Sequence, residues 1–203
     1  MGANEIIIST NANAARSVFA ADVDSDGDVD VLSASQTDDK IALYLNDGSN
    51  NFTEQTISSN ADGARSVFAA DVDGDGDVDV LSASWGDDKI ALYLNDGSNN
   101  FTEQTISTNG ARSVFASDVN GDGDVDVLSA FRNQISLYLN DGSNNFTEQI
   151  ISTNVDFAFS AFAADVDSDG DVDVLSGSLD EISLYLNDGS NNFTEQILSL
   201  IHI

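Results

Sequence analysis

The chain has 203 residues, enough for one domain of ordinary or slightly large size, and a formal net charge of −30 that leaves few cations for nucleic-acid phosphates or an anionic membrane surface. It contains no cysteine, which excludes a disulfide framework and thiol chemistry, and no apolar run long enough for a transmembrane helix. Such acidity often accompanies disorder, but 41% hydrophobic residues suffice for a core, and 19 of the 36 acidic residues are confined to four short stretches.

In chain order, Met1-Gly2-Ala3-Asn4-Glu5 lacks the basic and apolar regions of a signal peptide, so a secretion signal would have to lie outside this segment. Ile6 stands where a myristoylation motif needs Ser or Thr. Glu5–Asn11 reads EIIISTN and matches Glu148–Asn154, EQIISTN, so residues 1–14 are expected to supply one extra strand of the type called D below. The first full unit, 15–63, opens with strand A, Ser17–Ala21, which ends in the acidic stretch Asp22–Asp30. Strand B follows at Val29–Ala34 and strand C at Ile41–Leu45, where both alternating faces are apolar or small. The turn Asn46–Asn51 is rich in residues that tolerate left-handed backbone, and strand D is Phe52–Ile57. The pattern returns over 64–110, 111–154 and 155–198, leaving 199–203 as an irregular tail. The first Asp of each acidic stretch falls at 22, 71, 118 and 165, spacings of 49, 47 and 47 residues, which is the length of a propeller blade. The expected fold is all-β: a single repeat domain forming a β-propeller of four four-stranded antiparallel blades, with an open arc or an excerpt of a larger propeller as the alternative.

The acidic stretches carry the chemistry. Asp71–Asp79 reads DVDGDGDVD; Asp22–Asp30 and Asp165–Asp173 read DVDSDGDVD; Asp118–Asp126 reads DVNGDGDVD. Gly74 and Gly76 permit a curl in which the first, third, fifth and ninth side chains converge. Carboxylates about 5 Å apart repel by roughly 3 kcal/mol per pair at an effective dielectric near 20. A hard cation removes that cost, and Ca²⁺, with its flexible shell of oxygens, suits the site better than Mg²⁺. An EF-hand is excluded: its twelfth loop position requires Glu, whereas here Ser33, Ser82, Ser129 and Ser176 occupy it, and the flanks have strand composition.

The repeated FAADVDGDGDVDVL, followed by IALYLNDGSNNF, resembles the FG-GAP/VCBS-type repeats that build the β-propellers of integrin α-subunits and many secreted bacterial proteins. The resemblance spans nearly the whole chain, although the literal Phe-Gly and Gly-Ala-Pro pairs are absent. It implies about one Ca²⁺ per repeat, held by side chains at the first, third, fifth and ninth positions and a backbone carbonyl from the seventh. Those residues are Asp22, Asp24, Asp26, Asp28 (carbonyl) and Asp30; Asp71, Asp73, Asp75, Asp77 (carbonyl) and Asp79; Asp118, Asn120, Asp122, Asp124 (carbonyl) and Asp126; Asp165, Asp167, Asp169, Asp171 (carbonyl) and Asp173.

The B–C and D–A connections vary between units while A–B and C–D do not, so an up-and-down blade should have one uniform acidic rim and one varied rim. On the varied rim Trp85, Phe131 and Arg132 are candidate ligand residues: the rings for stacking on a sugar, or simply for loop packing, and the guanidinium for hydrogen bonding. Arg16, Arg65 and Arg112 precede strand A and either line an anion-binding channel or, as is commoner, neutralise nearby carboxylates; Phe159 takes the equivalent place in the fourth unit. His202 is the sole histidine and lies in the tail, so no His-dependent catalytic triad is expected, nor a catalytic pair among Glu54, Glu103, Glu148 and Glu195. Asn51-Phe52-Thr53 and its copies fit the N-glycosylation pattern, but a turn asparagine is the simpler reading. The expected function is non-enzymatic: an extracellular or cell-surface calcium-binding module for adhesion or ligand binding, with a carbohydrate or protein ligand on the varied rim. The alternatives are an accessory module of a larger secreted enzyme and a structural spacer.

Overall fold

The structure, a computed structural model, describes residues 5–197. It holds sixteen strands in four sheets, each a simple antiparallel meander. The first sheet comprises β1 (Ala15–Ala21), β2 (Asp30–Ser35), β3 (Lys40–Asn46) and β4 (Phe52–Ser58). The second comprises β5 (Ala64–Ala70), β6 (Asp79–Ser84), β7 (Lys89–Asn95) and β8 (Phe101–Ser107). The third comprises β9 (Ser113–Ser117), β10 (Asp126–Phe131), β11 (Gln134–Asn140) and β12 (Phe146–Ser152). The fourth comprises β13 (Ser160–Ala164), β14 (Asp173–Gly177), β15 (Ile182–Asn187) and β16 (Phe193–Ile197).

The two inner sheets are apolar on both faces because each is sandwiched between its neighbours, and the outer two bury one face against them. Leu32, Ile41 and Leu43 of the first sheet pack against Val67, Val80 and Tyr93 of the second. The same positions recur between the second and third sheets, and again between the third and fourth. Along the innermost strands Phe19, Phe68, Phe115 and Phe162 form a ladder with centroids 4.5, 4.8 and 4.4 Å apart.

The series is open. Val67 of the second sheet is 3% exposed under the first, whereas Val18, its counterpart in the first sheet, is 68% exposed. At the other end Ile182 is 68% exposed, whereas Ile90 in the same place is fully buried. No sheet closes on itself or on another among the described residues, which fits the open arc or the excerpt of a larger propeller rather than a closed four-bladed ring.

Residues 5–14, expected to contribute an extra D-type strand, form none. A D strand pairs with the free edge of a C strand, and β4 already occupies that edge of β3. The segment instead lines a groove beside Val18, Val31 and Tyr44 on the first sheet's uncovered face. The tail 199–203 and His202 lie outside the described residues.

Candidate functional site

The two kinds of connection separate as expected. On one rim the B–C and D–A connections are bonded together: Ala61 N donates to Asp39 O at 2.9 Å, Gly86 N to Asp62 O at 2.8 Å and Gly110 N to Asp88 O at 2.8 Å. The acidic A–B loops lie on the other rim beside the C–D turns, held there by their ninth residue. Asp79 is fully buried; its Oδ2 accepts from Val72 N at 2.9 Å and its Oδ1 from Asn95 N at 2.8 Å. Asp30, Asp126 and Asp173 do the same in their units.

The loop curl needs left-handed backbone at its fourth and sixth positions. The sixth is always Gly, with φ between 94° and 100° (Gly27, Gly76, Gly123, Gly170), while Ser25 and Ser168 take the fourth at φ 59° and 65°. The curl brings together the first, third and ninth carboxylates. Ligand oxygens of Asp22, Asp24 and Asp30 lie within 4.8 Å of one another, as do those of Asp71, Asp73 and Asp79, and those of Asp165, Asp167 and Asp173. In the third loop Asn120 stands between Asp118 and Asp126, and its amide donates to Asp122 Oδ2 at 2.7 Å.

The fifth residues lie outside these triads. Asp26, Asp75, Asp122 and Asp169 each accept from the backbone N–H of the seventh residue at 2.9 Å, which turns their carboxylates along the loop. The seventh side chains, Asp28, Asp77, Asp124 and Asp171, press on Gly48, Gly97, Gly142 and Gly189 of the C–D turns, where a Cβ would come within 2.4–2.7 Å of a carboxylate oxygen. That contact accounts for the glycine in every Asn-Asp-Gly-Ser turn. In the same turns Asn51, matching the glycosylation pattern, donates its amide to Asp47 Oδ2 at 2.8 Å.

The donor set fits a hard cation. Every group that converges is a carboxylate or amide oxygen, and Asp22 Oδ1 is buried with no hydrogen-bond donor. Burial pushes the carboxyls of Asp79 and Asp126 up to about 6 from the usual 3.8. Asp24, Asp73 and Asp167 are raised as well, by desolvation first and by their acidic neighbours next. A bound cation reverses both effects.

Sequence reasoning missed the residues that connect these loops. The Asn95 amide reaches Val78 O in its own blade at 3.2 Å and Val23 O in the preceding acidic loop at 3.4 Å. Asn140 bridges Val125 and Val72, and Asn187 bridges Val172 and Val119, in the same way. Gln55, Gln104 and Gln149 add bonds of 2.6 Å to the next blade's turn at Asn99, Asn144 and Asn191. Identical spacing of Asn and Gln in each repeat was the available signal.

On the varied rim Trp85 and Phe131 meet edge-on, with centroids 5.5 Å apart. Three guanidiniums lie over the Trp85 ring: Arg65 at 5.0 Å, Arg112 at 5.3 Å and Arg132 at 5.6 Å. Arg132 also lies over Phe131 at 4.7 Å, and Arg112 over Phe159 at 4.4 Å. The expected neutralisation of carboxylates by arginine is not seen: the ion pairs among the described residues join Lys40 to Glu54 and Lys89 to Asp87 and Glu103.

The sequence matches no curated protein. Among solved structures, a lectin of Agrocybe aegerita, described as specifically recognising non-reducing terminal N-acetylglucosamine, superposes with a TM-score of 0.64 at 19% identity, covering 91% of this chain and 52% of that one. The biofilm matrix protein Bap1 of V. cholerae superposes with a TM-score of 0.51 at 22% identity, covering 88% of this chain and 30% of that one. The chain thus spans about half or less of the length of these neighbours, and the likeness is one of fold. The FG-GAP-like repeat pattern matches at 22–82, 71–129 and 118–176, well over half of the sequence, and the chain belongs to the FG-GAP-like repeat family.

Proposed function

We propose that this chain is a calcium-stabilised propeller module of an extracellular or cell-surface protein, non-catalytic in itself, which binds a ligand, foremost a carbohydrate, on its varied rim. The observation that carries the reading is the segregation of its two rims. One repeats the same carboxylate triad with little change, as a structural ion site would. The other varies from blade to blade and gathers Trp85, Phe131 and Arg132 in one place, as a recognition site would.

Ca²⁺ is the favoured ion because the converging donors are oxygens on a flexible loop. Asp22, Asp24, Asp30 and their equivalents would hold it, and the ion would neutralise a cluster whose ninth carboxylate already ties the loop to strand C. The lectin and the matrix protein on related folds support ligand binding or adhesion without fixing the ligand. That both neighbours are longer chains favours a module working within a larger protein, which includes an accessory module of a secreted enzyme.

A glycan array probed with the calcium-loaded chain tests the reading, alongside a Trp85→Ala, Phe131→Ala double variant. The expected result is retention on a subset of glycans by the parent chain, lost in the variant while calcium-dependent melting persists. Equal retention by both chains would remove the varied rim as the binding face.

A further inference from the structure

All four arginines of this strongly acidic chain, Arg16, Arg65, Arg112 and Arg132, stand on the varied rim. Among the described residues none of them has a carboxylate within ion-pair distance. Three surround a single indole at 5.0–5.6 Å, so like charges are held close together. Cation–π attraction offsets part of that repulsion but supplies no counter-charge. Arg65 Nε is buried without an acceptor. Its guanidinium is destabilised by burial first, then by the charges of Arg112 and Arg16.

The backbone places these side chains deliberately. Arg16 and Arg65 are the extra residues where the ladder slips between Ala15 and Ser17 and between Ala64 and Ser66. Such bulges re-aim a side chain out of the strand's alternation. Arg132 sits at φ +47° in the two-residue turn between β10 and β11, a conformation better suited to Gly or Asn. A packing role alone does not require charge at these positions.

We propose that this arginine cluster binds the carboxylates of an acidic polysaccharide, a chain of uronate sugars. The proposal rests on the ligand-binding reading of the varied rim and names the ligand's class. A guanidinium presents a planar fork that matches a carboxylate in bidentate fashion, and an unpaired group of them is incomplete without an anion. Beside Arg132 an open groove of about 390 Å³ is lined by Phe131, Asn109, Asn133, Gln134 and Thr153. Neutral amides, a hydroxyl and a ring edge suit sugar hydroxyls, which favours a uronate glycan over an acidic peptide. Trp85 then acts by holding the guanidiniums over its ring rather than as a bare stacking platform.

The test is calorimetric titration of the calcium-loaded chain with a tetragalacturonate, its carboxyl-reduced counterpart and poly-glutamate. Binding of the uronate alone is the expected result, with an affinity that falls as salt rises. Arg65→Gln combined with Arg112→Gln should weaken it about tenfold or more, as loss of charge-assisted hydrogen bonds does. The exposed Arg132→Gln should weaken it measurably with no change in melting, which keeps the test valid if the double variant folds poorly. Equal binding of the reduced sugar would overturn the proposal while leaving the rim reading intact. Equal binding of poly-glutamate would overturn the glycan assignment. Uronate binding that survives both sets of arginine changes would overturn the proposal, and so would absence of binding to all three probes. The glycan array with the aromatic double variant continues to decide the rim reading separately.

Discussion

Asn95 gives its backbone N–H to Asp79 Oδ1 at 2.8 Å, and through its side-chain amide it also reaches the preceding blade at Val23 O. One residue thus joins the buried carboxylate of one acidic loop to the backbone of the loop before it. The acidic rim is a linked series held by the ninth carboxylates, the same groups that are proposed to hold the ion.

Asp79 and Asp77 should therefore respond differently to truncation. Asp79→Ala leaves the buried N–H groups of Val72 and Asn95 without acceptors and should cost about 2–4 kcal/mol even in chelator. Asp77→Ala removes a side chain that packs on Gly97 and should cost under about 1 kcal/mol. Chemical denaturation with and without calcium measures both; similar losses would show that the buried hydrogen bonds of Asp79 carry little.

Calcium should raise the melting temperature by many degrees over excess chelator. A site at a hundred times its dissociation constant adds about 2.7 kcal/mol, so three such sites add about 8 kcal/mol. The third loop should contribute least, because Asn120 removes one charge from the set formed elsewhere by three Asp residues. Asn120→Asp should tighten that site, read as one additional strong binding event in calorimetric titration; an unchanged isotherm would contradict the assignment.

The metal-free chain should lose stability as pH rises. Asp79 and Asp126 have carboxyls raised to about 6 in the fold against 3.8 for the free group. A raised acid contributes stability fully present below about pH 4, and that contribution is lost as pH passes through about 6. Melting in chelator should therefore be higher near pH 4.5 than near pH 7.5. Saturating calcium, which favours the ionised form, should reverse the order, and differential scanning across both conditions checks it.

Equivalent core positions should differ according to their place in the arc. Ile90→Ala empties a fully buried site between blades and should cost about 2–5 kcal/mol. Ile182→Ala, at 68% exposure on the uncovered last face, should cost under about 1 kcal/mol. Equal costs in urea denaturation would mean that the last face is covered in solution.

The repeat unit was legible in the chain because its determinants are local. Strand alternation, the Asp-Gly spacing that curls the loop, and the Asn-Asp-Gly turn all act within about fifteen residues, and the four meanders follow from them. So did the sorting of connections onto two rims, since an up-and-down strand order allows no other. What depended on partners distant in sequence was decided only in three dimensions. Glu5–Asn11 carries a D-strand pattern but finds the edge of β3 taken. The fifth Asp of each loop stands outside the triad formed by the first, third and ninth and gives one carboxylate oxygen to a backbone N–H two residues away. Arg65 comes from the bulge in β5, Arg112 from the connection before β9 and Arg132 from the turn after β10, and only the packing of successive blades brings them around Trp85. Local spacing determines a blade; the contacts between blades, which no single repeat contains, determine the arc, the bridging asparagines and the cationic cluster.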